Sequence, residues 1–304
     1  MSKELDTIVL TEDVPKHALK RGDIGTVVLL HGQAGYEVEF VTLDGETIAV
    51  VSLTSNQVRP IGRCEIAQAR ISRPPILPSD QVTSSLIDDL RDASHTYWTE
   101  YGYTKAFDFF VNDRSAAAML AKLMQGKGNA TESLQLMRGG FLGKWGSART
   151  LTQANCPEIS LALKRSASLL GKLAPNARID RLTDAEMERV VEAFEGLENC
   201  RGIGATIASK ILAALQPGAA VMWDMPIAAA YGFPNSGVGY RSFLQIIKEF
   251  AMRLRGFSKG KDLQAYLKPK GRDWKAPLAK VIDEWHWVRI TQKHPYIPRG
   301  AVSD

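Results

Sequence analysis

Residues 202–224 read GIGATIASKILAALQPGAAVMWD, and the organisation of the chain follows from how this stretch joins the segment before it. Residues 183–199, TDAEMERVVEAFEGLEN, open with Thr183 or Asp184 as N-cap and acidic residues in the first turn. They then carry Met187, Val190, Val191, Phe194 and Leu197 at three-to-four spacing, which predicts an amphipathic helix. Gly202 and Gly204 break it, because glycine permits positive φ and close backbone approach, and Ile203 between them can plug the gap between flanking helices. A second helix is predicted from about Ala205 to Leu215. Its first backbone N–H groups are aimed outward and form an anion site that suits a phosphate. The turn Gln216-Pro217-Gly218 then leads to Val221-Met222-Trp223-Asp224. Asp224 fits as N-cap of a helix opening with Met225-Pro226-Ile227, and a carboxylate fixed at a helix start also suits a catalytic group.

Helix, glycine-hydrophobic-glycine hairpin, helix and a carboxylate twenty residues beyond Gly204 resemble the helix-hairpin-helix superfamily of base-excision DNA glycosylases, of the endonuclease III type. The resemblance covers about residues 184–231. It implies Asp224 as the catalytic carboxylate, with Gly202, Ile203, Gly204, Thr206 and Lys210 at the DNA backbone. Strand-cleaving members carry a lysine two residues after the second hairpin glycine, whose amine attacks the sugar C1′. That position is Thr206 here, so the resemblance implies a monofunctional enzyme that uses water and leaves an abasic site. Lys210, one helical turn on, reads as facing solvent or a phosphate rather than replacing the missing amine. Some relatives bind an iron–sulfur cluster through four cysteines. This chain has only Cys64, Cys156 and Cys200, and its five histidines show no zinc-like spacing with them, so neither cofactor nor metal is expected.

Breaking an N-glycosidic bond builds oxocarbenium character on the deoxyribose. A fixed carboxylate stabilises that charge and orients or deprotonates water. The target nucleotide must be flipped into a pocket with aromatic faces. Candidates are Trp98, Tyr101, Tyr103, Phe107, Phe109, Phe110, Trp145 and Trp223, each with core packing as the competing reading. In Arg138-Gly139-Gly140-Phe141-Leu142-Gly143-Lys144-Trp145, Phe141 and Trp145 serve either as an inserted wedge or as anchors of a tight loop. Trp285-His286-Trp287 reads as a packing anchor.

Working outward, the fold class expected is multi-domain, a small all-β SH3-like barrel followed by a larger all-α helix-hairpin-helix domain. Residues 1–62 predict strands at Thr7–Leu10, Ile24–Leu30, Tyr36–Val41, Thr47–Ser52 and Val58–Ile61, with glycine turns at Arg21-Gly22-Asp23, His31-Gly32 and Asp44-Gly45. From Asp6 to Pro60 this segment resembles a family of small bacterial SH3-like domains of uncharacterised function. Residues 63–79 read as a proline-rich linker, and 80–304 as the helical domain. Helices are predicted at 80–93, 95–110, 114–124, 131–138, 158–171, 184–199, 205–215, 225–231, 239–255, 260–267 and 276–287.

Net charge is +5 overall, but about −4 over residues 1–60 and +9 over 241–299. The basic end could supply the sequence-independent attraction that dominates DNA affinity, through Lys259, Lys261, Lys268, Lys270, Arg272 and Lys275, or be a solvated basic face. The N-terminus lacks a signal-peptide pattern and no run approaches 18 apolar residues, so a cytoplasmic protein without membrane partner is expected. The function expected is a monofunctional glycosylase acting on a damaged or modified base in double-stranded DNA, modified phage bases included. The alternative is a catalytically silent DNA-binding protein whose acidic barrel recruits a protein partner.

Overall fold

The computed structural model describes residues 3–14, 17, 19–31, 35–41, 45, 47–62, 64–65, 82–102, 105–153, 155–258 and 262–292. The chain divides into two compact units, Met1–Pro74 and Pro75–Asp304.

The first unit is a five-stranded antiparallel sheet in the order β4-β3-β2-β1-β5. Its strands are β1 (Thr7–Leu10), β2 (Ile24–Leu30), β3 (Gly35–Val41), β4 (Thr47–Thr54) and β5 (Val58–Pro60), each within two residues of the expected bounds. Period-two alternation explains the inward set: Tyr36, Val38 and Phe40 of β3 are buried with Ile8, Leu10, Val27, Val51 and Leu53. Gly25 lies beneath them, where an added Cβ would come within 2.6 Å of Val38 and 2.8 Å of Phe40.

The second unit is helical: α1 (Ser84–Glu100), α2 (Lys105–Asn112), α3 (Arg114–Met124), α4 (Ala130–Met137), α5 (Cys156–Leu170), α6 (Asp184–Glu198), α7 (Ala205–Leu215), α8 (Met225–Ala230), α9 (Gly237–Ser258), α10 (Leu263–Leu267) and α11 (Leu278–His286). Helix α6 opens with a capping box in which Thr183 and Glu186 satisfy each other's backbone N–H groups. The break expected between residues 93 and 95 is absent, and α1 runs through it. Ser94 lies on its buried face and donates to Glu284 Oε2 at 2.6 Å, so a polar residue inside a helix marks a long-range partner. Two π-helical turns, Arg138–Leu142 and Trp287–Thr291, continue α4 and α11.

Three sequence expectations are corrected. Arg272 is 1% exposed and cannot reach a DNA backbone. Its guanidinium bonds Asp108 (Nε–Oδ2 2.5 Å, Nη2–Oδ1 2.9 Å) and Glu284 (Nη2–Oε1 2.8 Å), between Trp98 and Trp274. Phe141 is fully buried against Phe107 and Phe110, so it anchors its loop and is no wedge. Much of the basic C-terminal charge is spent internally, in Arg241–Glu188, Lys248–Asp184, Lys275–Asp262 and Arg289–Asp89. Lys268 and Lys270 remain exposed. Tyr103, Lys259, Lys261 and most of the 63–79 linker lie outside the described residues, as do Gly32 and Asp44.

Candidate active site and hairpin

The hairpin is built as its sequence demands. After α6, Cys200 N–H donates to Leu197 and Ile203 N–H to Cys200, both at 3.0 Å, which closes a tight turn. Gly202 sits at φ +87°, a conformation costly for any residue with a Cβ. There is no room either: a Cβ would lie 2.4 Å from Asn155 Nδ2 and 2.6 Å from the Thr150 carbonyl oxygen. Asn155 was not singled out by the sequence, yet it pins the turn by donating to Thr150 O (2.8 Å) and Arg201 O (3.0 Å). Ile203 is buried between the helices, and exposed Gly204 caps α7 without a side chain, which leaves the first N–H groups of α7 open. Arg201 and Arg149 are exposed beside it, on the turn and on the loop that Asn155 ties to it.

Between α7 and α8 the chain is irregular, and side chains hold it. Tyr240 O–H donates to Val221 O at 2.9 Å. Ser209 of α7 accepts from Trp223 N–H at 2.9 Å and donates to Trp223 O at 3.1 Å. Asp224 is thereby fixed at the start of α8, where its Oδ1 accepts from Ile227 N–H at 2.9 Å. Its Oδ2 accepts from the Thr291 hydroxyl at 2.8 Å, across from the π-helical turn after α11. Burial pushes the carboxyl above the usual aspartate range, opposed by these two hydrogen bonds and the Lys210 ammonium.

Asp224 lines a pocket with Trp145, Lys210, Met222, Trp223 and Ile227, closed by Tyr97, Asp283 and Trp287. Trp145 stacks on Phe107 with centroids 5.6 Å apart and planes 20° from parallel. Trp287 meets Tyr97 (5.4 Å, 84°) and Tyr101 (4.8 Å, 89°) edge to face. Lys210 is a correction: its side chain enters the pocket instead of facing solvent, with Nζ 2.8 Å from Ser147 Oγ and 5.1 Å from the Trp145 centroid. Burial depresses its basicity, against the pull of Asp224 and Asp283.

The aromatic candidates therefore separate. Trp145 and Trp223 line the pocket, whereas Phe107 and Phe110 are core, Phe109 is 65% exposed and Trp98 packs on Arg272. Thr206, part-buried on α7, is not among the lining residues. The 285–287 triplet divides too: Trp285 and His286 anchor the core, while Trp287 faces the pocket. Tyr97, Asp283, Trp287 and Thr291 come from segments far from the hairpin, and their recruitment has no local sequence signal.

Residues 4–60 match a family described as a domain of unknown function, DUF4926. This covers the β-sheet unit and leaves the helical unit, with the hairpin and pocket, outside the match. Neither the curated proteins nor the solved structures contain a match to the chain.

Proposed function

We propose that the helical unit is a helix-hairpin-helix DNA glycosylase that accepts a flipped, damaged or modified base and cleaves its N-glycosidic bond. The observation that carries this reading is Asp224, a carboxylate with both oxygens held, facing an aromatic pocket one helix beyond a glycine hairpin. A rigid carboxylate stabilises a developing oxocarbenium ion without reorganising. Trp145 and Trp287 give the pocket aromatic surface for a planar heterocycle. The raised proton affinity of Asp224 also fits a group that takes a proton from water. The open N–H groups at the start of α7 grip a DNA phosphate, with Arg201, Arg149, Lys268 and Lys270 as exposed cations around the helical unit. The β-sheet unit is an SH3-like barrel. Phage-type modified bases are among the substrates to be tested, and the site of action is cytoplasmic.

The test is incubation of the full chain with duplexes carrying damaged and phage-type modified bases, followed by detection of the free base. Wild type is expected to release one class of base. Asp224→Asn keeps the α8 cap and DNA binding but loses release by about 10²-fold or more. DNA binding without release from any substrate overturns the reading in favour of a silent binder.

A further inference from the structure

The pocket is lined by a second carboxylate besides Asp224, that of Asp283 on α11, which the reading above leaves without a task. Asp283 is 4% exposed, and its Oδ2 accepts from Lys280 Nζ at 2.6 Å. Lys280 also donates to the Tyr97 hydroxyl at 3.1 Å and has Glu284 Oε1 at 3.6 Å. Lys280 is not among the lining residues, so it fixes the carboxylate without filling the space in front of it. Burial raises the proton affinity of Asp283 and the Lys280 ammonium opposes that, and within this ion pair the carboxylate is an acceptor only. Its Oδ1 accepts no hydrogen bond from any of the described residues. A nearly buried carboxylate with one oxygen unfilled is costly until a donor meets it, and here the only approach is from the pocket.

A fixed carboxylate discriminates sharply among bases. It takes two parallel N–H bonds from neighbouring donors and is repelled by a lone pair or a carbonyl oxygen in the same place. On their Watson–Crick edges, adenine and cytosine set a ring-nitrogen lone pair beside the amino group, and uracil and thymine flank one N–H with two carbonyls. Guanine sets two donors side by side, N1–H and the 2-amino group, next to the O6 acceptor. Lys210 Nζ spends one N–H on Ser147 Oγ at 2.8 Å and keeps others in the same pocket for such an acceptor. The faces of Trp145 and Trp287 serve any planar base, so the choice among bases falls to the polar groups.

We infer that Asp283 is the specificity-determining residue of this pocket and that its carboxylate accepts from the N1–H and 2-amino groups of a guanine-type base. This rests on the base-excision reading above and narrows its substrates to damaged or modified guanines that keep this edge. Asp224 acts at the sugar and Asp283 at the base, two roles for two carboxylates carried on different helices.

A pair of nucleosides that differ only in the 2-amino group tests this apart from catalysis. The full chain is titrated with 2′-deoxyguanosine and with 2′-deoxyinosine, and binding is read by equilibrium dialysis and by quenching of the pocket tryptophans. Deoxyguanosine is expected to bind about tenfold or more tightly than deoxyinosine. Asp283→Asn offers one acceptor and one donor in place of two acceptors, and is expected to bring the ratio close to one. If that variant does not fold, the double variant Lys280→Met, Asp283→Asn, which removes both charges of the pair, takes its place. Equal binding, no binding of either nucleoside, or a ratio that the substitution leaves unchanged overturns the inference. Duplexes carrying 8-oxoguanine or 8-oxohypoxanthine then separate it from the reading it rests on, with release of the 2-amino base expected to be faster by about tenfold or more. Release without that preference leaves base excision standing and removes Asp283 as the selector. A nucleoside preference that depends on Asp283, with no base released from any duplex, upholds guanine recognition and counts against base excision.

Discussion

Thr291 donates its hydroxyl to Asp224 Oδ2 at 2.8 Å while Ile227 N–H holds Oδ1 at 2.9 Å, so neither carboxylate oxygen is free to swing. The first contact spans the chain from α8 to the turn after α11. Thr291→Val conserves shape and removes only the donor. Because that hydrogen bond holds the Asp224 proton affinity down, its loss moves the affinity further up. The acid limb of base release is therefore expected to shift to higher pH, with release at neutral pH reduced by about tenfold. An unshifted limb would show that Thr291 has no part in setting Asp224.

The hairpin glycine has a separable role. Gly202→Ala places a Cβ where Asn155 and Thr150 already stand, at a backbone angle L-residues avoid. A stability loss of about 1–3 kcal/mol is expected, along with weaker, less salt-sensitive DNA binding. Gly256→Ala, on α9 away from the hairpin and where a Cβ meets nothing within 4 Å, is the control: it should leave DNA binding unchanged and stability equal or higher by up to about 1 kcal/mol. Equal behaviour of the two variants would remove the hairpin from DNA binding.

Arg272 answers to two buried carboxylates at once. Arg272→Met leaves Asp108 buried without its counter-ion and Glu284 with only the Ser94 hydroxyl and the more distant Lys280 ammonium, at a cost of about 3–5 kcal/mol in denaturant unfolding. A loss below about 1 kcal/mol would mean that the cluster relaxes or takes up water.

His286 makes the helical unit sensitive to acid. Its Nδ1–H donates to Ile282 O at 2.7 Å and its Nε2 accepts from the Tyr231 hydroxyl at 2.6 Å, so both nitrogens are committed in the neutral ring. Burial brings its pKa down to about 4 from 6.5. Between those values the unfolded chain binds the proton and the native one does not, so stability falls as pH drops from 6.5 to 4, by about 3 kcal/mol at most. The double variant Tyr231→Phe, His286→Phe removes both polar partners and should flatten urea-unfolding stability across that window. Parallel slopes in variant and wild type would assign the acid sensitivity elsewhere.

What the sequence made legible was local. Alternation set the five strands, and glycines with an apolar plug set the hairpin between two periodic helices. Asp224 was found because a cap residue declares itself by its neighbours. Contacts between distant segments were not legible. Lys210 carries no mark of which way its side chain turns. Arg272 sat in a basic tract and read as a surface cation, although its partners lie on α2 and α11. Tyr97, Asp283 and Trp287 reach the pocket only once α1 and α11 pack together.

The ion cluster around Arg272 also bears on how the protein is made. Asp108 and the arginine that neutralises it are 164 residues apart, so α1 and α2 leave the ribosome long before their counter-charge exists. Until then Asp108 must stay hydrated, and the helices carrying it cannot close into a dry core. The closing of α1 and α2 around this cluster is thus a late event in synthesis, and nascent chains halted before residue 272 should be cut by protease within α1 and α2 while released chains resist.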